Sequence, residues 1–212
     1  MYVEYACLDY SLNETDVQSN INYAIKKGIT NIAVLPYSIA SIKNLYPDIS
    51  LICPLDYPFG LSDPKSRNNM VSQATKAGVS IIDLVTPNKI LANRKYDKFR
   101  DDIKSNLVLC QENNVKLRYI LEYRVFSHEV LAKVCQILKD FGIDTVLPSS
   151  GIFLDDINDN LIVCNFLNLK SGINIICNGN IFLEKHAKAV KKSGNYGARL
   201  YYKNSIDIFL SN

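Results

Sequence analysis

Tryptophan is absent from the 212 residues, and histidine and methionine occur only twice each. His128 and His186 stand far apart, and neither has a carboxylate at ligand spacing, so no histidine-based metal centre is expected. The six cysteines (Cys7, Cys53, Cys110, Cys135, Cys164 and Cys177) form no Cys-x-x-Cys pair and sit in apolar segments, which reads as buried reduced thiols. Long runs of one charge are also missing. The 24 basic residues are interspersed with 21 acidic ones for a formal net charge of +3, and Lys26-Lys27 and Lys191-Lys192 lie at helix ends, where cations suit the dipole. A nucleic-acid arm is therefore not expected. No apolar run approaches a membrane span, and Met-Tyr-Val-Glu-Tyr lacks the basic start of a leader, so a cytoplasmic protein without membrane contact is expected. No Gly-x-Gly-x-x-Gly or phosphate-loop sequence follows the first apolar run, and no cofactor is expected.

What the chain does have is a regular alternation. Short apolar runs at Val3–Asp9, Asn31–Pro36, Ile49–Leu55, Val79–Val85, Val115–Glu122, Gly142–Leu147, Ile173–Cys177 and Tyr196–Tyr202 read as strands. Helical patterns lie between them. Asn13 caps the first and Gly28 ends it, while Ser62-Asp63-Pro64 opens a later one and Ser127 another. Near-continuous apolar strands belong to parallel sheets covered on both faces. With a 48% hydrophobic composition and no linker, residues 1–212 read as one α/β domain, a (β/α)8 TIM barrel, with an open doubly wound sheet as the alternative.

One stretch organises the rest. Gly142-Ile143-Asp144-Thr145-Val146-Leu147-Pro148-Ser149-Ser150-Gly151 is a buried strand ending in a polar turn, and it resembles the Gly-Ala-Asp-Phe-Ile-Lys-Thr-Ser-Thr-Gly strand of the deoxyribose-phosphate aldolase family. Five further segments are similar to that family in the same order. They are Ile52 through Tyr57-Pro58-Phe59-Gly60, Ile82-Asp83-Leu84-Val85-Thr86-Pro87, Arg118-Tyr119-Ile120-Leu121-Glu122, and the pair Gly179-Asn180-Ile181 and Tyr196-Gly197-Ala198. The resemblance implies a barrel that cleaves or joins sugar phosphates through a lysine imine. It places the imine lysine at Leu147 and a second lysine at Ile176. Leucine and isoleucine cannot attack a carbonyl.

The resemblance also assigns the surviving polar residues. Asp83 stands at the proton-handling aspartate, Asp9 at the first-strand acid, and Glu122 at the strand-five acid. The phosphate ligands fall on Ile152, Gly179, Asn180 and Arg199, of which only Arg199 offers charge. Arg118 and Glu122 alternate onto one strand face and read as an internal ion pair rather than a catalytic one, with a small-molecule-binding barrel in which Arg118 and Arg199 anchor an anion as a further reading. Asp83 reads either as an acid neutralised by Arg118 or a similar cation or as a general base in a new site. Lys89 and Lys203 near strand ends are candidates for a relocated amine, with solvated loop lysines as the simpler reading. Ser149-Ser150-Gly151 lacks the glycine of a nucleophile elbow. Several of the 13 tyrosines flank strand ends (Tyr10, Tyr37, Tyr57, Tyr123, Tyr201, Tyr202), suited to holding a sugar, to protein contact, or simply to rim packing. The expected role is a non-catalytic binding or assembly component; the alternative is an active lyase with a relocated nucleophile around Asp83. The expected partners are a small phosphorylated sugar or a protein, with a homo-oligomer as a further expectation.

Overall fold

Eight parallel strands close into a barrel in chain order, with the first strand paired to both the second and the eighth. The computed structural model describes residues 1–151 and 156–211. The strands are β1 (Tyr2–Cys7), β2 (Asn31–Val34), β3 (Ser50–Leu55), β4 (Ile81–Val85), β5 (Lys116–Ile120), β6 (Thr145–Leu147), β7 (Asn174–Cys177) and β8 (Gly197–Leu200). The helices are α1 (Glu14–Lys26), α2 (Ile39–Leu45), α3 (Pro64–Lys76), α4 (Asn88–Ala92), α5 (Tyr96–Glu112), α6 (His128–Asp140), α7 (Ile157–Ser171), α8 (Glu184–Lys192) and α9 (Lys203–Leu210). The (β/α)8 barrel expected from sequence is the architecture found, and the open sheet is not.

Local chemistry sets the helix starts. The Asn13 carboxamide accepts the Asp16 N–H, Asp63 accepts the Lys65 and Ser66 N–H groups ahead of Pro64, and Ser127 accepts the Val130 N–H. Each side chain satisfies an amide donor that the first turn leaves without a helical partner. The short helix α4 follows directly on Pro87, which stands at its N-cap and leads into a single extra turn.

Strand alternation divides the core in two. Tyr5, Cys7, Ile32, Val34, Leu51, Cys53, Ile82, Leu84, Leu117, Tyr119, Val146 and Ile175 pack outward with helix residues such as Ile21, Val71, Phe99 and Leu138 in one large cluster. The intervening positions point into the barrel and form two smaller clusters, one around Ala6, Ala33 and Ile52, the other around Val85, Ile120, Leu147 and Ile176. Both faces are buried, which is why the strands lack the alternating polarity of a half-solvated sheet. All six thiols are free and buried in this packing.

Two glycines are fixed by close approach. A Cβ on Gly197 would lie 2.8 Å from the Tyr2 carbonyl oxygen and 2.9 Å from its ring. Gly60, at φ +63°, faces the Thr86 carbonyl so closely that a Cβ would overlap it. Its own carbonyl accepts the Asn88 N–H at 3.0 Å, and Asn88 Nδ2 donates to the Phe59 carbonyl at 2.7 Å. The loop after β3 is thereby docked onto the loop after β4.

Candidate functional site

Among the described residues, four charged side chains meet in the barrel interior. Asp83 on β4 and Arg118 on β5 are register partners, as are Glu4 on β1 and Arg199 on β8. Arg118 donates from Nε to Asp83 Oδ1 at 2.7 Å and from Nη2 to Oδ2 at 3.0 Å. Its Nη1 reaches across to Glu4 Oε2 at 3.0 Å. Arg199 donates from Nε to Glu4 Oε1 at 2.6 Å, and its Nη2 bonds Asp83 Oδ2. Two acids and two arginines thus cancel in a site where all four are at most 2% exposed. Charges so deeply buried persist only when paired and hydrogen-bonded.

The electrostatics follow from that geometry. Burial alone would push the Asp83 carboxyl up, but the guanidinium groups of Arg118 and Arg199 outweigh it and hold the carboxyl below its ordinary value. Burial likewise works against the charge of Arg118, and Asp83 and Glu4 more than restore it, raising its pKa well above normal. Asp83 is an ion-paired carboxylate.

This corrects one expectation. Arg118 does not pair with Glu122 but with Asp83 and Glu4. The Leu121 and Tyr123 N–H groups still donate to the Leu147 and Pro148 carbonyls, so alternation keeps Glu122 on the inward side with Arg118, but it lies beyond Ile120, toward the mouth. Glu122 instead accepts from the Ser150 hydroxyl at 2.5 Å and from its N–H at 3.3 Å, tying the ends of β5 and β6 together. Glu4 is the member that sequence reasoning missed. Its signal was present, an acid inside the apolar run Val3–Cys7 two positions before Ala6 on the inward face.

Leu147 and Ile176 are fully buried and pack together with Val85 and Ile120. They stand where the resemblance puts the two lysines. The mouth of the barrel carries a cavity of about 530 Å³ at the C-terminal ends of the strands, lined in part by Ala6, Asp9, Tyr10, Tyr57, Asn178, Asn180, Tyr201 and Tyr202. Asp9 is exposed there, its carboxyl held low by the Ser11 hydroxyl and N–H. Asp9 and Asp83 therefore do not meet, one lying at the rim and the other in the barrel interior. Gly179 packs tightly against Ile157 and Asn160 of α7, while Asn180 faces the cavity. Neither Arg118 nor Arg199 lines the cavity. Ile152 lies outside the described residues.

Tyr57 links interior and mouth. Its ring packs against both inner clusters, and its hydroxyl donates to the Ser150 carbonyl at 2.8 Å. Asp56 beside it is anchored by fully buried Arg67, which also forks onto Asp102 of α5 at 2.8 and 3.0 Å. Arg67 was not singled out from sequence, because an arginine on α3 gives no sign of burial. Asn178 donates to the Ser149 carbonyl at 2.6 Å and to the Tyr201 hydroxyl at 3.2 Å, fixing that ring at the cavity edge. The remaining candidates lie elsewhere. His128 stacks on Phe166, His186 Nδ1 accepts the Phe182 N–H, and Lys203 Nζ contacts Ser19 Oγ at 3.4 Å. Among the described residues no cluster of three His, Cys, Asp or Glu side chains is arranged to hold a metal ion, and no helix is long and apolar enough to cross a membrane.

No family model matches the chain. A curated deoxyribose-phosphate aldolase from Treponema denticola is 22% identical over 152 residues, covering 71% of this chain and 70% of that protein. The chain is similar in sequence to curated deoxyribose-phosphate aldolases. Among solved structures, an aldolase named QR15 superposes with a TM-score of 0.88 at 18% identity, over 99% of this chain and 93% of that one. The tetrameric deoxyribose phosphate aldolase of Aeropyrum pernix gives 0.85 at 15% identity, over 99% and 88%. At these identities the superpositions speak for the aldolase fold, and the chemistry rests on the residues in this chain.

Proposed function

We propose that this aldolase-fold barrel does not form an imine and acts as a non-catalytic binding or assembly component. The observation that carries the reading is the pair Leu147 and Ile176, apolar and fully buried at both positions where the resemblance to the aldolases puts a lysine. An imine requires an amine, and a nucleophilic amine requires desolvation or a neighbouring cation. Lys89 sits exposed on α4, and Lys203 is drawn toward Ser19 and the Tyr23 ring; neither lines the mouth cavity. The charge quartet supports the same reading, since Asp83 is occupied by two guanidinium groups and is poorly placed to move a proton.

A second reading keeps lyase activity with a relocated nucleophile. It is favoured by the retained, ionised Asp83 inside the barrel. A retro-aldol assay separates the two. Acetaldehyde release from deoxyribose 5-phosphate at high protein concentration is expected to stay at background, with a folded barrel confirmed by circular dichroism. Turnover that vanishes in Lys89→Ala or Lys203→Ala would establish the second reading.

The assembly half of the proposal has its own test. The Aeropyrum pernix relative is tetrameric, and Phe182, Leu183, Ile162 and Leu169 are exposed apolar side chains here. Light scattering on the purified chain is expected to show an oligomer. A strict monomer would leave binding, without self-assembly, as the role.

A further inference from the structure

We propose that the mouth cavity selects an uncharged, hydroxylated ligand of sugar size and discriminates against its phosphorylated form. The inference deepens the non-catalytic reading above, and rests on it in treating the cavity as a binding site. Its basis is the charge of the walls. The only charged side chain among the described lining residues is Asp9, and hydrogen bonds from Ser11 keep that carboxyl ionised.

Among the described residues, Arg118, Arg199 and Lys203 are each engaged elsewhere. The guanidinium groups of Arg118 and Arg199 are locked onto Glu4 and Asp83, and both side chains are at most 2% exposed. Lys203 follows Tyr202 in the chain, yet its ammonium lies 3.4 Å from Ser19 Oγ and 5.7 Å from the Tyr23 ring centre. Residues 152–155 contain no lysine or arginine. A phosphate brings close to two negative charges, and its removal from water needs arginine, lysine or a strong set of amide donors. Here it would face a carboxylate instead.

The same walls suit a neutral sugar. Tyr10, Tyr57, Tyr201 and Tyr202 line the cavity with amphipathic rings suited to the C–H groups of a sugar, with Leu8 and Leu35 completing the apolar surface. Asn178 is spent on Ser149 and Tyr201 and acts as a positioning residue for the Tyr201 ring. Asn180 is half-buried in the lining and presents a carboxamide with both donor and acceptor.

Calorimetric titration with 2-deoxy-D-ribose and with 2-deoxy-D-ribose 5-phosphate tests the inference; because the phosphate on O5 also bars the pyranose ring open to the free sugar, methyl 2-deoxy-D-ribofuranoside and its 5-phosphate, which share one ring form, serve as the matched pair. The unphosphorylated sugar is expected to bind saturably and the phosphate at least about tenfold more weakly, as loss of roughly one charge-assisted contact would require. Asn180→Ala is expected to weaken the sugar about fivefold, the scale of one hydrogen bond. Asn180→Lys is expected to reverse the preference. Tighter binding of the phosphate to the unaltered protein would overturn the proposal and assign the anion to the backbone amides at the start of α9. Absence of saturable binding by either sugar would overturn it as well. Intact mass after borohydride treatment of the same mixtures separates this from the reading above: a covalent adduct would sink the non-catalytic reading while leaving the neutral-over-phosphate preference to stand or fall on the titrations.

Discussion

Arg118 on β5 lies directly opposite Asp83 on β4 and grips its carboxylate with two hydrogen bonds of 2.7 and 3.0 Å, in a site from which water is excluded. Arg199 and Glu4 complete the set from the closing pair of strands. The quartet joins β1, β4, β5 and β8 through side chains, in addition to the backbone ladder.

Removing one member leaves the others unbalanced. Arg118→Met is expected to cost about 3–5 kcal/mol, because Asp83 loses its bidentate partner and Glu4 one of its two arginines. Urea denaturation measures this, and a loss below about 1 kcal/mol would show that the quartet is not structural. The pH dependence has a definite sign. The Asp83 carboxyl is depressed in the fold, so its contribution is present above the unfolded value near 4 and is lost as pH falls through the lower folded value.

The barrel was legible because its signals are local. Apolar runs, the caps Asn13, Asp63 and Ser127, and the break at Gly28 each act within a few residues. The candidate site was only partly legible. Asp83, Arg118 and Arg199 are all legible, and Arg118 as the cation that neutralises Asp83 is one of the readings the sequence offers; the pairing of Arg118 with Glu122 is not found, because cross-strand register sets Asp83 opposite Arg118. Glu4 was overlooked for a related reason, since its place in the interior is set by β8, far away in sequence. The tyrosines at the strand ends were visible as a group. Which of them share the cavity was not: Tyr10, Tyr57, Tyr201 and Tyr202 line it, while Tyr37 stands in solvent and Tyr123 packs on the core.

Gly60 provides a sharp backbone test. Its φ of +63° and its contact with the Thr86 carbonyl leave no room for a methyl group. Gly60→Ala is expected to destabilise the protein by at least about 2 kcal/mol, combining left-handed strain with a forced shift of the docked loops. A thermal melt unchanged from that of the parent would contradict the geometry.

The buried thiols predict weakness in alkali. Burial pushes Cys53, Cys110 and Cys135 up to about 12, whereas an unfolded thiol ionises near 8.5. Between those values the unfolded chain loses protons that the folded chain retains, so stability falls as pH rises. The slope is up to about 1.4 kcal/mol per pH unit for each thiol. Urea midpoints are expected to drop between pH 8 and pH 10, with a smaller drop in Cys53→Ala. A midpoint that does not change over that range would mean that these sulfurs reach solvent.

The most direct test of the central claim is covalent trapping. The unaltered protein is incubated with deoxyribose 5-phosphate, reduced with borohydride and weighed by intact mass spectrometry. With Leu147 and Ile176 at the two lysine positions, no mass gain is expected beyond that of a control without sugar. A sugar-dependent gain that maps to a single lysine would contradict the account, and would identify the amine that took over.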